Sequence, residues 1–340
     1  MSQFLSEYSL FLAEAATIVL AIVAVVIVIF ALKNDKSDEE DLEIKSLNDK
    51  YDRYTEALQH ATLPRHERKI AHKLLKQQRK AHEDMPATER KRIFVVDFDG
   101  DLRASAATTL AQEITAISMV ARASDEVFVR LYSTGGLVHG YGLAAAQLQR
   151  LNDKNIPLTV SVDKVAASGG YMMACVAQRI IASPFAIIGS IGVVAQIPNF
   201  HRFLQKHDVD FELLTAGKYK RTLTMFGENT DAAREKFQQE IESTHGLFKD
   251  FVSRHRPIVD IETVATGEYW HGKTAVDLKL VDTLQTSDEY LLEKSREWNI
   301  YEVRVVPKRS WSDKFSSFVK QTISGTRLAV RQQARETNLL

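Results

Sequence analysis

The stretch Ile93–Phe98, which reads IFVVDF, is short, apolar and rich in β-branched and aromatic residues. Such a short, largely apolar run is typical of a strand buried on both faces of a sheet. Apolar residues over 110–117 follow at helical spacing, and the pattern repeats as an apolar run at 127–131, a helical stretch over 141–151 and a further run at 158–162. Because strands of this kind that alternate with helices indicate parallel βαβ units, the sequence predicts an α/β domain.

The same alternation continues beyond the third strand. Residues 180–182, 187–188 and 211–214 are further predicted strands, and a long helix is predicted from about Ala232 to His255. The sequence contains no fixed-period repeat of the solenoid type. We therefore expect one globular α/β body with additional segments at its ends.

An apolar segment precedes this body. Residues 15–32 are 18 consecutive uncharged residues, close to the roughly 20 that a helix needs to span a bilayer. Glu7 and Glu14 precede the segment, whereas Lys33 and Lys36 follow it. The sequence predicts an uncleaved single-pass anchor, for which a buried soluble helix is the alternative. By the positive-inside rule the charge bias favours a cytoplasmic body, although a role in degrading signal peptides would suit an extracytoplasmic one.

Charged segments flank the predicted body on both sides. Apolar residues at heptad-like spacing over 47–58 predict a short helix that ends near Pro64 and could pair with a copy of itself. Residues 65–92 hold ten Lys or Arg against four Asp or Glu, which is typical of a solvated basic helix or of an arm on anionic lipid. Near the C-terminus, basic and apolar residues over 311–319 predict a helix on a membrane surface or on a partner subunit.

Composition excludes several classes of protein. The 340 residues are 45% hydrophobic and 26% charged with a formal net charge of zero, which argues against a dedicated nucleic-acid binder. The single Cys175 excludes an internal disulfide framework and a Cys-cluster metal site. The sequence has no G-x-x-x-x-G-K-[ST] phosphate loop, no H-E-x-x-H zinc helix and no G-x-S-x-G elbow. We therefore expect no metal and no cofactor.

A candidate nucleophile lies in the segment Val165–Tyr171, which reads VAASGGY. This segment follows the third strand and precedes a plausible helix start. At such a junction the helix dipole and outward N–H groups favour negative charge, and small neighbours let a carbonyl approach the Ser168 hydroxyl. The alternative is that Ser168 only caps the helix.

A glycine loop, residues 133–136 with the sequence STGG, follows the second strand. In a parallel sheet it emerges at the same carboxyl edge as Ser168. The amide of Gly136 or Leu137, together with that of Gly169, could form an oxyanion hole. An ordinary βα turn is the alternative interpretation.

The serine also needs a general base. Histidine is the usual one, but the histidines occur in scattered contexts with no Asp/His order that marks a triad: His139, His201, His245, His255 and His271. A lysine that burial makes neutral is the other option. Lys218 and Lys220 lie in a lysine loop, residues 215–222, just past an apolar run. One of them could reach the serine, although a solvated basic loop would look the same.

Taken in order, these segments resemble the signal peptide peptidase A family of Ser/Lys proteases. The resemblance covers about residues 92–290 and rests on several motifs: STGG at 133–136, ASGGY at 167–171, GSIGV at 189–193, GKYK at 217–220, and ATGEYWHGKTA at 265–275 followed by LVD at 280–282. Single motifs are weak, but their order and spacing together are specific.

The resemblance implies a role for each matching residue. It makes Ser168 the nucleophile, Lys220 the general base, and Ser190 the hydroxyl that orients the lysine amine. Two departures matter. Thr134 replaces the family's usual proline in the glycine loop, and the assignment of the base to Lys220 instead of Lys218 depends on alignment with the preceding glycine.

The resemblance also implies a crotonase-like and Clp-like ββα superhelix and a homo-oligomeric ring near the bacterial inner membrane. In single-copy members the serine and the lysine can come from neighbouring subunits. The implied partners are the lipid bilayer and unfolded or membrane-released peptides such as signal-peptide remnants, and no nucleic acid is expected.

These inferences divide the chain into an anchor at 1–32, a helical stalk at 33–91, a protease domain at 92–290 and a C-terminal extension with a basic amphipathic helix at 291–340. Two other functions remain open. One is a catalytically weak membrane scaffold of the same fold. The other is a crotonase-like acyl-CoA enzyme, which leaves the apolar segment unexplained and lacks an evident acid/base carboxylate near the glycine loop.

Overall fold

The computed structural model describes residues 11, 13–19, 21–22, 40–83, 86 and 90–307. The chain forms two compact units, of which the larger is Ile44–Arg304. The strands are β1 (Glu40–Ser46), β2 (Arg92–Gly100), β3 (Glu126–Ser133), β4 (Leu158–Val162), β5 (Val165–Ala167), β6 (Arg179–Ala182), β7 (Ile187–Gly189), β8 (Tyr269–His271), β9 (Thr283–Leu284) and β10 (Asn299–Pro307).

The helices connect these strands in the alternation expected from the sequence. They are α1 (Leu47–Thr62), α2 (Arg65–Glu83), α3 (Ala107–Val120), α4 (Val138–Asp153), α5 (Gly169–Ala174), α6 (His201–Lys206), α7 (Asp231–His255), α8 (Ile261–Val264), α9 (Gly272–Asp277) and α10 (Ser287–Lys294).

The main sheet is largely parallel. Its strand order is β1–β10–β2–β3–β4–β6–β9, and the pairs from β10 through β9 are parallel. Two short strands leave this order, since β5 pairs with β3 and β7, and β7 also pairs antiparallel with β8. The prediction of an α/β fold with a largely parallel sheet is confirmed.

Strand β2 has both of its faces buried. Phe94, Val96 and Phe98 belong to one hydrophobic cluster, whereas Ile93 and Val95 belong to another. Because successive side chains in a strand point to opposite faces, the two clusters lie on the two sides of the sheet. This two-sided burial explains why residues 93–96 of the strand are all apolar.

Helix α1 packs on the second of these clusters. Leu47 is buried there with Ile300 of β10. The Asn48 side chain donates hydrogen bonds to the carbonyl oxygens of Ser295 and Trp298, each at 3.0 Å, and accepts one from the Ile300 N–H at 2.7 Å. The helix predicted for the stalk is therefore fastened to the sheet body at its N-terminal end. The boundaries of the four predicted segments stay predictions.

Residues 193–230 form an exposed arm between β7 and α7, and none of them is buried. The prediction of a strand at 211–214 is wrong, because this stretch has no regular structure. Phe211 instead packs on Phe226, with ring centroids 5.7 Å apart, and Phe226 stacks on Phe200. A small aromatic cluster within the arm takes the place of a pairing partner in the sheet.

The predicted membrane segments lie mostly outside the described residues. Residues 13–19 and 21–22, from the first part of the predicted anchor, are helical. No helix of the described residues is both long and apolar enough to cross a bilayer. The predicted C-terminal helix at 311–319 lies outside the described residues.

Candidate active site

Ser168 occupies a strained position between β5 and α5. Its φ of 52° and ψ of −118° lie in a region that residues other than glycine rarely adopt, at a typical cost of about 1–3 kcal/mol. Its N–H donates to the Gly189 carbonyl at 2.8 Å, and its carbonyl accepts from the Met172 N–H at 3.0 Å. The side chain makes no capping hydrogen bond to the helix. The surrounding backbone thus holds a partly exposed hydroxyl that has no capping role.

The glycine loop lies in direct contact with Ser168. A Cβ on Gly135, whose φ is +87°, would lie 2.7 Å from the Ser168 Cβ and 2.9 Å from the Gly169 nitrogen. A Cβ on Gly136 would lie only 2.1 Å from the Leu102 carbonyl oxygen. Both positions require glycine because neighbouring atoms fill the space of a side chain.

The backbone N–H groups of Leu137 and Gly136 differ in whether they already have a hydrogen-bond acceptor. The Leu137 N–H donates to the Leu102 carbonyl at 2.8 Å, so it is occupied. The Gly136 N–H has no acceptor among the residues that the structure describes. Gly169 is the first residue of α5, and the first N–H groups of a helix have no intrahelical acceptor. Gly136 and Gly169 therefore offer the unused donors next to Ser168.

Ser190 lies on the neighbouring strand end. It follows β7, has a φ of 51°, and its N–H donates to the Glu268 carbonyl at 2.7 Å. Ser168 and Ser190 line the same groove, which has a volume of about 790 Å³. Leu102, Gly136 and Leu137 lie on one side of this groove, and one face of α7 supplies another wall: Gln238, Ile241, Glu242, His245 and Phe248.

The lysine loop lies away from the groove. Lys220 is exposed and does not line it. The ring of the adjacent Tyr219 is contacted by Lys236 of α7, with 5.2 Å from Nζ to the ring centroid. Lys236 and His245 are nine residues apart, which at 3.6 residues per turn places them about 180° apart around the helix. The structure thus brings Ser168, Ser190, Gly136 and Gly169 together in the groove, whereas Lys220 is not among the residues that line it.

Lys218, the first lysine of the loop, contacts the ring of Tyr219. Lys218 has its Nζ 5.0 Å from the centroid of the Tyr219 ring. A side-chain hydrogen bond with Tyr219 raises the pKa of Lys218 and so favours its charged form. A charged ammonium has no lone pair with which to accept a proton. The contact with Tyr219 thus works against the neutral form of Lys218 that a general base requires.

Tyr141 supports the glycine loop through hydrogen bonds. This role was not predicted from the sequence. Its hydroxyl lies 2.5 Å from the Ser133 Oγ and donates to the Asp101 carbonyl at 2.8 Å. The Ser133 Oγ in turn accepts the Gly135 N–H at 3.0 Å. A Cβ on Gly169 would meet the Tyr141 ring at 2.4 Å. The STGG motif identified the loop, but nothing in the sequence linked it to a tyrosine in the following helix.

We predict that Tyr141→Phe lowers kcat about tenfold, because it removes the hydroxyl that links Ser133 to Asp101 and so loosens the loop that holds Gly136. Steady-state kinetics on a peptide substrate would measure it. Tyr132→Phe is the control, since Tyr132 is exposed and lies outside the groove. If the Tyr141→Phe protein melted at a lower temperature but retained its kcat, the tyrosine would be structural only.

Other reactive groups are placed differently. Cys175 is fully buried, and burial raises the pKa of its thiol, which disfavours the reactive thiolate. The described residues contain no cluster of three or more His, Cys, Asp or Glu side chains able to hold a metal ion. Among the described residues, Ser168 is thus the nucleophile candidate that combines exposure, strain and adjacent N–H donors.

A hydroxyl at a strained strand-to-helix junction beside two backbone donors is an arrangement that suits hydrolases that act through a serine nucleophile. Residues 3–148 match the description "Peptidase family S49 N-terminal", and residues 150–300 match "Peptidase family S49". The chain belongs to this family of serine peptidases, which confirms the resemblance found in the motifs.

Curated relatives match over different lengths. A protein of Haemophilus influenzae named "Probable protease SohB" is 58% identical over 223 residues, which cover 66% of this chain and 63% of that protein. A protein of the same name from Buchnera aphidicola subsp. Schizaphis graminum is 43% identical over 328 residues, covering 94% and 95%. A solved membrane-bound stomatin-specific protease in complex with a substrate peptide is 13% identical, has a TM-score of 0.40, and is matched over 68% of this chain and 99% of that one.

Proposed function

We propose that the chain is a membrane-anchored serine endopeptidase in which Ser168 is the nucleophile and Lys220 the general base. The observation that carries the proposal is the strained Ser168 hydroxyl in a groove that also exposes the free N–H of Gly136. Backbone strain concentrates at functional sites because it holds reacting groups in position. The serine peptidase family supplies the reaction class.

Each residue of the proposed site has a defined part in peptide-bond hydrolysis. A neutral Lys220 amine takes the Ser168 proton as the oxygen attacks a peptide carbonyl. The negative charge on the carbonyl oxygen is stabilised by the N–H groups of Gly136 and Gly169. The lysine ammonium then protonates the leaving amine, and water, deprotonated by the same amine, hydrolyses the acyl-enzyme and regenerates the serine. Ser190 orients the lysine amine through its hydroxyl.

The exposed position of Lys220 supports a site shared between two copies of the chain. A lysine accepts a proton only as the neutral amine, which requires shielding from water. Lys220 is exposed in the single chain, and its loop contacts the face of α7 opposite to the groove. Insertion of the arm into the groove of a neighbouring copy would bury the amine beside Ser168. We therefore propose a homo-oligomeric ring as the active form.

The exposed surface of the arm is consistent with such assembly. Large apolar side chains lie in water along it, including Leu214 at 91% exposure and Phe203 at 60%. Contiguous exposed apolar surface of this kind commonly marks an interface. The proposed crotonase-like superhelix is supported by β5 and β7, which leave the main sheet and pair with each other beside Ser168.

The membrane location is also part of the proposal. It is supported by the 18 uncharged residues at 15–32 and by α2, whose outward side carries Lys69 and Lys73 next to the exposed Ile70 and Leu74. A basic helix with flanking aliphatic residues suits the surface of a bacterial inner membrane. The proposed substrates are unfolded or membrane-released peptides, since an open groove admits extended chains.

Labelling with a fluorophosphonate probe tests the proposal on the detergent-solubilised full chain. We expect the wild type and Lys218→Ala to be labelled, and Ser168→Ala and Lys220→Ala to remain unlabelled, because the probe reacts only with an activated serine. Lys218→Ala is the matched control, since it removes an exposed lysine two residues away. A wild type that is neither labelled nor able to cut casein would exclude the peptidase.

In that case a second function would take its place. A catalytically weak membrane scaffold of the same fold is favoured by one observation, the separation of Lys220 from the groove in the single chain. For a scaffold, Ser168→Ala would leave the biological role intact. Loss of that role in Ser168→Ala cells with normal protein levels would exclude it.

A further inference from the structure

One face of α7 forms a wall of the groove. Ile241 and Glu242 lie four and three residues before His245, and Phe248 lies three residues after it, so all four lie on one side of the helix. This face contains the aliphatic side chain of Ile241 and the buried ring of Phe248 next to a carboxylate. The wall thus combines apolar surface from Ile241 and Phe248 with polar side chains, among which Glu242 is the single acidic group.

Glu242 is distinguished by its charge. Among the described residues that line the groove it is the only Asp or Glu, and none of the others is a Lys or Arg. The Gln238 side chain donates a hydrogen bond to its Oε1 at 3.0 Å. This bond restrains the carboxylate and leaves the second oxygen available, because no cation of the described residues forms an ion pair with Glu242.

From this geometry we infer that Glu242 forms a subsite for a lysine or arginine side chain of the peptide substrate. The inference rests on the proposed peptidase function and adds to it a class of substrate. Long basic side chains suit the wall, because their methylene stems pack on apolar surface while their charged ends reach an acid. Ile241 and Phe248 provide that surface beside Glu242.

The expected preference is modest in size. Glu242 is exposed in the single chain, so water and salt weaken its attraction for a cation. We expect a basic residue at the matching position of the peptide to raise kcat/KM about two- to fivefold over glutamine. The effect should decline with added salt, since it depends on an incompletely shielded pair of charges.

The experiment uses the full-length, detergent-solubilised protein and a set of quenched fluorescent decapeptides. Each peptide carries Lys, Gln or Glu at one position, and all other positions are constant. The enzymes are wild type, Glu242→Gln, Glu242→Lys and Glu240→Gln. Glu240 lies on the same helix, is exposed and does not line the groove, which makes it the matched control.

At one position of the peptide we expect the wild type and Glu240→Gln to prefer Lys over Gln. Glu242→Gln should lose that preference, and Glu242→Lys should prefer Glu. If the wild type cleaves the Gln peptides but shows no preference for Lys at any position, the subsite is excluded and the peptidase stands. An equal loss on all peptides in Glu242→Gln would also exclude it, because it would indicate a role in assembly or in the fold.

The two proposals fail in different ways. If no peptide of the set is cleaved and the fluorophosphonate probe does not label the wild type, the peptidase itself is excluded, and the subsite with it. If the probe labels Ser168 and cleavage is insensitive to charge, only the inference about Glu242 is excluded.

Discussion

Mixing Ser168→Ala protein with Lys220→Ala protein is expected to restore peptidase activity that neither variant has alone. Each variant should be reduced at least about 1,000-fold, because one lacks the nucleophile and the other the base. In a ring where each site takes its serine from one copy and its lysine from the next, an equal mixture restores about one site in four. The reason to expect this outcome is that Lys220 is exposed and does not line the groove that contains Ser168.

The measurement is the rate of peptide cleavage by the two variants co-expressed with different affinity tags and purified through both. The double variant Ser168→Ala/Lys220→Ala, co-expressed with itself, is the control for background. Recovery to about a quarter of the wild-type rate would support the shared site. An inactive mixture that nevertheless contains both tags, alongside a labelled wild type, would mean that serine and lysine meet within one copy.

Gly136→Ala is expected to lower kcat about 100- to 1,000-fold with a smaller change in KM. The added Cβ would lie 2.1 Å from the Leu102 carbonyl oxygen, so the loop must move and the Gly136 N–H with it. Loss of one oxyanion donor has a cost of this size because the donor acts mainly on the charge that develops in the transition state.

Gly142→Ala is the matched control. Gly142 lies in α4, a few residues beyond the loop, and a Cβ there would meet no atom within 4 Å. Since alanine favours helix over glycine by up to about 1 kcal/mol, this variant should be at least as stable as the wild type and equally active. If Gly136→Ala kept its kcat while both variants remained folded, the oxyanion hole would have to be assigned to other donors.

The strands of the sheet could be predicted because burial on both faces requires consecutive apolar residues, which are visible in the sequence. Ile93 and Val95 pack on one side of β2 while Phe94 and Val96 pack on the other, so no polar residue interrupts the run. The same signal failed at residues 211–214. An apolar stretch has the same composition whether it pairs in a sheet or packs on aromatic rings within an arm, and only the tertiary partners distinguish the two.

Some features of the candidate site could likewise be predicted from the sequence, and others could not. Ser168 and Gly136 could be placed together in advance, because loops after parallel strands emerge at one edge of the sheet. The groove wall that contains Glu242 and Phe248 could not be predicted, since the sequence of a helix does not show which part of the fold its face packs against. The position of Lys220 outside the groove was anticipated only through the family resemblance, which implies that serine and lysine can come from neighbouring subunits; the motif itself fixes only the order of residues along the chain.

The positive φ values of Ser168 and Ser190 have a further consequence for the energetics of the whole chain. Glycine adopts such angles without a steric penalty, so the backbone in this part of the molecule would be more relaxed with glycine at both positions. The hydroxyls are therefore retained against the conformational preference of their own residues. At these two positions the residue with the least backbone strain differs from the residue that the proposed chemistry requires. The folding free energy of the sheet body offsets this local strain.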